Sequence, residues 1–330
     1  MMIDGEAYNM KKIGVLTTGG DAPGMNAAIR AVVRTAISFG MEVVGIEKGY
    51  SGLCDRSFVK LTSRSVSGII NEAGTFLKTK RFPEFKESEV RKKCYKNLLD
   101  ESIEGLVVIG GDGSARGAYQ LSSDFDFPVV LIPASIDNDL YGTDFTVGFD
   151  TAVNTAVSAV DKIRDTATSH ERTFVVEVMG REKGNLAIEV ALACGAEIVI
   201  VPEVKMKRDE IVSLLKEQER KGKTSSIIIL AEGAGKAPEL TEWLQGKLPE
   251  RQIRYSVLGY IQRGGSPTYL TRVLAAQLGA AAVEALQKGK YPLMAGVRGE
   301  EIVYVPLSDV VSRSKDIPHK HLEIIRNMAI

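Results

Sequence analysis

The sequence has no net charge, few cysteines and no long apolar run, and each shortage excludes something. Its 42 basic and 42 acidic residues cancel, so no broad basic field is available to hold nucleic acid or an anionic membrane. Cys54, Cys94 and Cys194 are the only cysteines. They lie far apart and form no C-x-x-C pair, which argues against structural zinc and against a disulfide framework. Reduced thiols point to a cytoplasmic setting. No stretch reaches the roughly eighteen apolar residues of a membrane span. The first ten residues have neither the basic start nor the apolar run of a signal peptide and read as a loose extension. Low-complexity tracts, internal repeats and obvious linkers are also missing. The 330 residues suit about two domains. The 44% hydrophobic and 25% charged content is ordinary for a globular chain.

Two familiar nucleotide signatures fail as well. Gly222-Lys223-Thr224 looks like the end of a Walker A loop, but Glu217 stands where its first glycine belongs and a strand follows in place of a helix. Gly111, Gly113 and Gly117 give a loose dinucleotide pattern, yet no acidic ribose ligand follows the next strand.

What the chain does have is a set of polar turns behind apolar runs. Val129-Val130-Leu131-Ile132 reads as a buried parallel strand, and Pro133-Ala134-Ser135-Ile136-Asp137-Asn138-Asp139 follows it. Thr18-Gly19-Gly20-Asp21-Ala22-Pro23-Gly24 follows 13–17, and Gly110-Gly111-Asp112-Gly113-Ser114 follows 106–109. Open α/β sheets build their sites at such strand ends. Three of these turns together suggest phosphate and metal handling, although a lone Gly-Asp-Gly commonly just tightens a turn.

Strand patterns fall at 12–17, 42–46, 105–110, 128–133, 173–179, 197–202, 226–231, 254–259 and 301–306. Helical patterns fall at 25–39, 65–72, 87–100, 114–122, 149–166, 184–194, 207–221 and 270–288. The alternation predicts parallel sheets with helices on both faces. Residues 149–166 are long and amphipathic, as a helix bridging two lobes would be.

Glycine turns let backbone N–H groups approach phosphates, and a helix behind them adds attraction. Asp112 has the oxygen chemistry that suits Mg2+. Asp137 and Asp139 are two apart, so in an extended segment they face one side. One could take a hydroxyl proton while the other orients a partner or the metal; equally, Asp and Asn cap turns of this kind. Arg81, Arg172, Arg181, Arg254 and Arg263 stand near predicted strand ends, where arginine binds phosphate bidentately. Each alone also fits a plain surface residue. Arg181 and Arg263 stand out because glycine turns carry them.

With these residues in view, the chain resembles the bacterial ATP-dependent 6-phosphofructokinase family. The match runs in one register from about Lys11. It is carried by Gly19–Asn26, Arg81-Phe82-Pro83-Glu84-Phe85, Gly110–Ser114, Ser135–Asp139, Ser169-His170-Glu171-Arg172, Met179-Gly180-Arg181 and Gln262–Pro267. The resemblance implies two Rossmann-like three-layer α/β lobes with mainly parallel sheets and an active site in the cleft between them. One lobe would hold 1–148 plus about 262–312. The other would hold 149–261 plus about 313–330. It implies transfer of the γ-phosphoryl group of ATP, with Mg2+, to the 1-hydroxyl of fructose 6-phosphate, in a cytoplasmic homotetramer.

Carried over residue by residue, Asp137 is the base on the sugar hydroxyl, with Ser135 and Asp139 beside it. Arg181 and Arg81 stabilise charge on the transferring group, and Gly20 touches that group. Asp112 supports Mg2+. ATP lies along Gly20, Tyr50, Arg81, Phe82, Gly113, Ser114 and Gly117. Met179, Gly180 and Glu232 hold the sugar. Arg263 reaches the 6-phosphate, as do Arg172 and Arg254 of a neighbouring subunit. ADP or phosphoenolpyruvate would act at Arg30, Arg34, Arg164, Glu197, Lys221 and Lys223.

Three departures stand out. Ala134-Ser135 replaces the usual Gly-Thr. Tyr260 replaces a histidine near the 6-phosphate. Ser63 replaces an effector-site arginine, with Arg64 adjacent. Relatives that use pyrophosphate carry Lys where Ala134 stands and Asp where Gly113 stands, so ATP is the expected donor. Alternatives are a pyrophosphate-dependent or broader sugar-phosphate kinase, a non-catalytic nucleotide-sensing subunit, and a dinucleotide oxidoreductase. The intact Asp137, Arg81 and Arg181 count against a sensor.

Overall fold

The computed structural model describes residues 10–329; positions 1–9 of the leading extension lie outside the described residues, and its last residue, Met10, is buried. Along the chain the elements are β1 (Lys12–Thr18), α1 (Met25–Ser38), β2 (Glu42–Ile46), α2 (Gly49–Cys54), β3 (Phe58–Leu61), α3 (Ser88–Asp100), β4 (Gly105–Gly110), α4 (Asp112–Phe125), β5 (Val129–Ser135), β6 (Val147–Gly148) and α5 (Phe149–Ser169). There follow β7 (Thr173–Val178), α6 (Asn185–Cys194), β8 (Ile198–Ile200), α7 (Arg208–Arg220), β9 (Ser226–Ala231), α8 (Ala237–Lys247) and β10 (Ile253–Val257). The chain then continues through α9 (Tyr269–Gln287), β11 (Leu293–Arg298), β12 (Glu301–Pro306), α10 (Leu307–Ser312) and α11 (His319–Met328).

They form two α/β units. The first comprises the residues up to Ser135, Asp139–Asp150 and Arg263–Lys315. Its sheet runs β12-β11-β5-β4-β1-β2-β3, with β6 on β5. The inner pairs are parallel, and only the edges β3 and β12 run antiparallel. Every residue of β4 is buried, as expected of a strand covered on both faces. The chain moves outward from β1 to β2 and β3, then returns to place β4 on the other side of β1. A switch in strand order therefore falls between β1 and β4, where open sheets of this kind bind ligands.

Helices α1 and α9 pack together on this unit. Gly279 permits the approach, since a Cβ there would stand 2.5 Å from that of Ala31. Helix α1 follows the first glycine turn and α9 follows Arg263–Pro267, so this packing brings the two turns to one place.

The second unit comprises Ile136–Asn138, Thr151–Gln262 and the residues from Asp316. Its four-stranded sheet, β10-β7-β9-β8, is parallel throughout. A cluster around Val175, Ile211, Leu215, Ile228, Leu230 and Leu244 forms its core.

Several elements depart from the sequence reading. The helix expected at 65–72 is only a 3-10 turn, Ile69–Asn71, because Gly68 at φ 82 interrupts the backbone. Helices α2, α8, α10 and α11 and strands β3, β6 and β11 were not anticipated. Helix α8 carries Pro238 in its first turn, where proline is tolerated.

Candidate active site

In the first unit, the β1 and β4 turns meet at the switch point. Thr18 lies opposite Gly110, and the Ser114 hydroxyl donates to the Thr18 carbonyl at 2.9 Å. Ser114 is thus a buried fastener between the two turns. A Cβ at Gly20 would collide with the guanidinium of Arg263, which also lies 3.5 Å from the Asp21 carboxylate. Arg263, expected at a sugar phosphate, therefore rests on the first glycine turn.

Gly113 is the second residue of α4, and a Cβ there would meet nothing within 4 Å. Protein packing does not require glycine at this position. A Cβ at Gly117, by contrast, would stand 2.6 Å from the ring of Tyr50. Tyr50 is buried, stacks on Phe85 with centroids 3.9 Å apart, and donates its hydroxyl to the Ser114 carbonyl at 2.8 Å. Burial, aided by Cys94, holds this phenol well above the usual tyrosine range. Tyr50 and Gly117 are thus wall residues, with Phe82 packed partly behind them. Arg81 is exposed in the segment between Asn71 and Pro83, which has no regular structure.

The Asp112 carboxylate sits in the first turn of α4 and is gripped by Arg116 at 3.0 and 3.2 Å. Among the described residues no three His, Cys, Asp or Glu gather into a metal cage. A single half-buried carboxylate fits a metal that takes its other ligands from substrate phosphates. Ser135 and Asp139 are half-buried in this unit, and Thr146 donates to the Ser135 carbonyl at 2.6 Å.

In the second unit, the Asp137 carboxylate is 4% exposed and lies 3.3 Å from Nε of Arg181, which is 49% exposed. Met179-Gly180-Arg181 leaves β7 in a tight turn. Gly180 has φ 141, a value open essentially to glycine, and Arg181 has φ 52. Glu232, after β9, accepts the Arg181 N–H at 2.6 Å and fixes the turn. A Cβ on Gly233 would collide with the Arg181 carbonyl. Buried Asn185, the first residue of α6, donates to the carbonyls of Asp137 and Asn138 at 3.4 and 3.1 Å. An arginine cation thus lies beside a shielded carboxylate, and both are held by neighbours.

Such a carboxylate can take a proton from a hydroxyl, and such a cation can steady charge growing on a phosphoryl group. Residues 12–286 match the family model for phosphofructokinase. This chain belongs to that family.

Half of its residues, 50% over 321 positions, are identical to an ATP-dependent 6-phosphofructokinase of Thermoanaerobacter pseudethanolicus, covering 97% of this chain and 100% of the relative. An ATP-dependent 6-phosphofructokinase 1 of Thermus thermophilus is 51% identical over 323 positions, with the same coverage of both chains. Phosphofructokinase from Saccharomyces cerevisiae superposes with a TM-score of 0.87 at 34% identity, covering 97% of this chain and 48% of the longer yeast chain.

The other expected residues lie further out. Arg172 bonds Gln252 at 2.9 Å, and exposed Arg254 sits on the edge strand β10. Met179 is half-buried, and Tyr260 is 81% exposed in the 3-10 turn Gly259–Arg263. Arg164 at 3.4 Å and Lys223 at 2.7 Å flank the buried Glu197 carboxylate, which also accepts the Ile227 N–H at 2.6 Å. Lys221 instead pairs with Glu217 at 2.9 Å. That pair pulls the Glu217 carboxyl below its usual range. Arg30 and Arg34 stand one turn apart on α1. Asn185 and Gly233 escaped the sequence reading because neither motif type nor charge marks them.

Proposed function

We propose that this phosphofructokinase is ATP-dependent and transfers the γ-phosphoryl group of ATP to the 1-hydroxyl of fructose 6-phosphate. The products are fructose 1,6-bisphosphate and ADP. The observation that carries this reading is the Asp137–Arg181 pair, a shielded carboxylate 3.3 Å from a half-exposed cation. Asp137 takes the hydroxyl proton. Arg181 and Arg81 hold the charge on the transferring group, and the Gly20 backbone lies against it. Ser135 and Asp139 flank the base. ATP runs along Tyr50, Arg81, Phe82, Gly113, Ser114 and Gly117; the open space at Gly113 supports this path. Asp112 would hold Mg2+, after releasing part of its grip on Arg116. Such an ion would supply charge neutralisation at the phosphates.

Met179, Gly180 and Glu232 hold the sugar. Arg263 and Tyr260 reach its 6-phosphate, together with Arg172 and Arg254 of a neighbouring subunit. A homotetramer belongs to this reading, supported by the exposed Arg254, Tyr255 and Val257 on β10. The effector site takes ADP or phosphoenolpyruvate at Arg164, Glu197, Lys221 and Lys223, with Arg30 and Arg34. Two cations around one buried carboxylate leave an excess of positive charge suited to phosphate.

The test is a coupled assay with fructose 6-phosphate and ATP, pyrophosphate or no donor, run on the parent and on Asp137→Ser. ATP should be preferred, and the variant should lose at least ~10²-fold in kcat while staying folded. Equal kcat/KM for pyrophosphate, or near-normal turnover in the variant, would overturn the reading.

A further inference from the structure

Residues 72–82 cross the first unit without helix or strand. No backbone ladder fixes them, so their polar groups need other partners. Side chains supply many of these. Asn26 accepts the Phe76 N–H at 2.5 Å and donates to the carbonyls of Glu72 and Ala73. Thr17, in β1, donates to the Lys78 carbonyl at 2.8 Å and lies 2.8 Å from the Thr75 hydroxyl. The Lys48 N–H reaches the Leu77 carbonyl at 2.8 Å. Lys78 takes φ 59, an unusual value for a non-glycine residue, at the bend before Arg81. The last fastening before Arg81 is Thr79, whose hydroxyl donates to the Gly19 carbonyl at 2.9 Å.

We propose that Thr79 is a positioning residue for Arg81, tying the strap that carries this cation to the glycine turn that meets the transferring phosphoryl group. The inference rests on the reading of Arg81 given above. Gly19 immediately precedes Gly20, and Thr79 stands two residues before Arg81. One hydrogen bond therefore links the anchor of the cation to the anchor of the phosphate. Catalysis by a fixed cation depends on where that cation sits, and a misplacement near 1 Å can cost up to about 10²-fold. A threonine in a coil carries no such meaning by sequence; only the Gly19 carbonyl facing it does.

Thr79→Val keeps the shape and removes the donor. We expect kcat to fall roughly threefold to tenfold, the ordinary worth of one neutral hydrogen bond. KM for fructose 6-phosphate should hold, and Thr79→Ser should restore turnover. Thr79→Ala serves if the valine variant folds poorly. A double-mutant cycle with Arg81→Ala decides the matter. In the Arg81→Ala background, Thr79→Val should cost nothing further. If the two losses multiply while Arg81→Ala alone is impaired, Thr79 acts elsewhere and the positioning role is wrong. If Arg81→Ala leaves kcat untouched, the cation role fails and this proposal falls with it.

Discussion

Replacing Gly113 by aspartate separates what the fold needs from what the phosphate donor needs. Gly113 is the second residue of α4, and a Cβ there meets no heavy atom within 4 Å. An acidic group near a helix N-terminus is favourable by about 0.3–1 kcal/mol, and removing glycine from a helix gains roughly 0.5–1 kcal/mol. Arg116, three residues on, offers a further partner. Gly113→Asp should therefore melt no lower than the parent.

On the proposed path of ATP the expected effect is the opposite. A carboxylate about 5 Å from a phosphate charge costs ~0.8 kcal/mol at the dielectric of water and ~3.3 kcal/mol at an effective value near 20. KM for ATP should rise about fourfold to nearly three-hundredfold, with added bulk pushing toward the upper end. Pyrophosphate, which has no nucleoside to place past this position, should suffer less. The assay pairs thermal melts with kcat and KM for both donors at saturating fructose 6-phosphate. An unchanged KM for ATP in a normally melting variant would refute the path of ATP past Gly113. A markedly lower melting point would refute the claim that the fold tolerates a side chain there. Gly117→Ala is the opposing control. Its methyl would press on Tyr50 at 2.6 Å and Phe85 at 3.1 Å, so destabilisation by about 1–3 kcal/mol is expected.

Arg181→Ser should lower kcat by about 2.7–4 kcal/mol of transition-state stabilisation, with little change in KM for ATP; a defect confined to KM would make Arg181 a ground-state ligand. Gly233→Ala should force the Arg181 carbonyl aside and reduce kcat without touching any ligand contact of its own; full activity would mean the turn has room to adapt. Tyr260→His should lower KM for fructose 6-phosphate at pH 6 by up to about tenfold, since a cationic hydrogen bond outweighs a neutral one by roughly 1 kcal/mol or more. With an ordinary imidazole pKa near ~6.5, that gain should fade by pH 8. An unchanged KM at both pH values would remove residue 260 from the phosphate shell.

Much of this protein was legible along the chain. Strands such as 105–110 announce themselves as unbroken apolar runs because both faces are covered. The turns after β1 and β4 are legible as glycine with aspartate, and the one after β5 as a serine with two aspartates, because such polar residues interrupt otherwise apolar patterns. Local pattern failed where local forces are weak. The 65–72 segment has helical spacing, yet Gly68 in a left-handed conformation leaves only a 3-10 turn. Helix α8 holds Pro238 and Gly246 and strand β11 holds Gly296, residues that weaken a local pattern, and tertiary packing stabilises both.

By itself the sequence determined the α/β class and the family, and it singled out Asp137, Arg181 and Arg81 as candidate reactive groups. These depend on residue type and on spacing within single strand–turn units. Only the tertiary structure decided how those groups are held. Asn185 grips the Asp137 loop from 47 and 48 residues away, and Glu232 fixes the Arg181 turn across 51 residues. Arg263 meets Gly20 because α9 lies on α1, and their contact depends on a missing side chain at Gly279. Hydrogen bonds and close approaches between distant segments follow from how sheets and helices pack, and no periodicity along one segment encodes them.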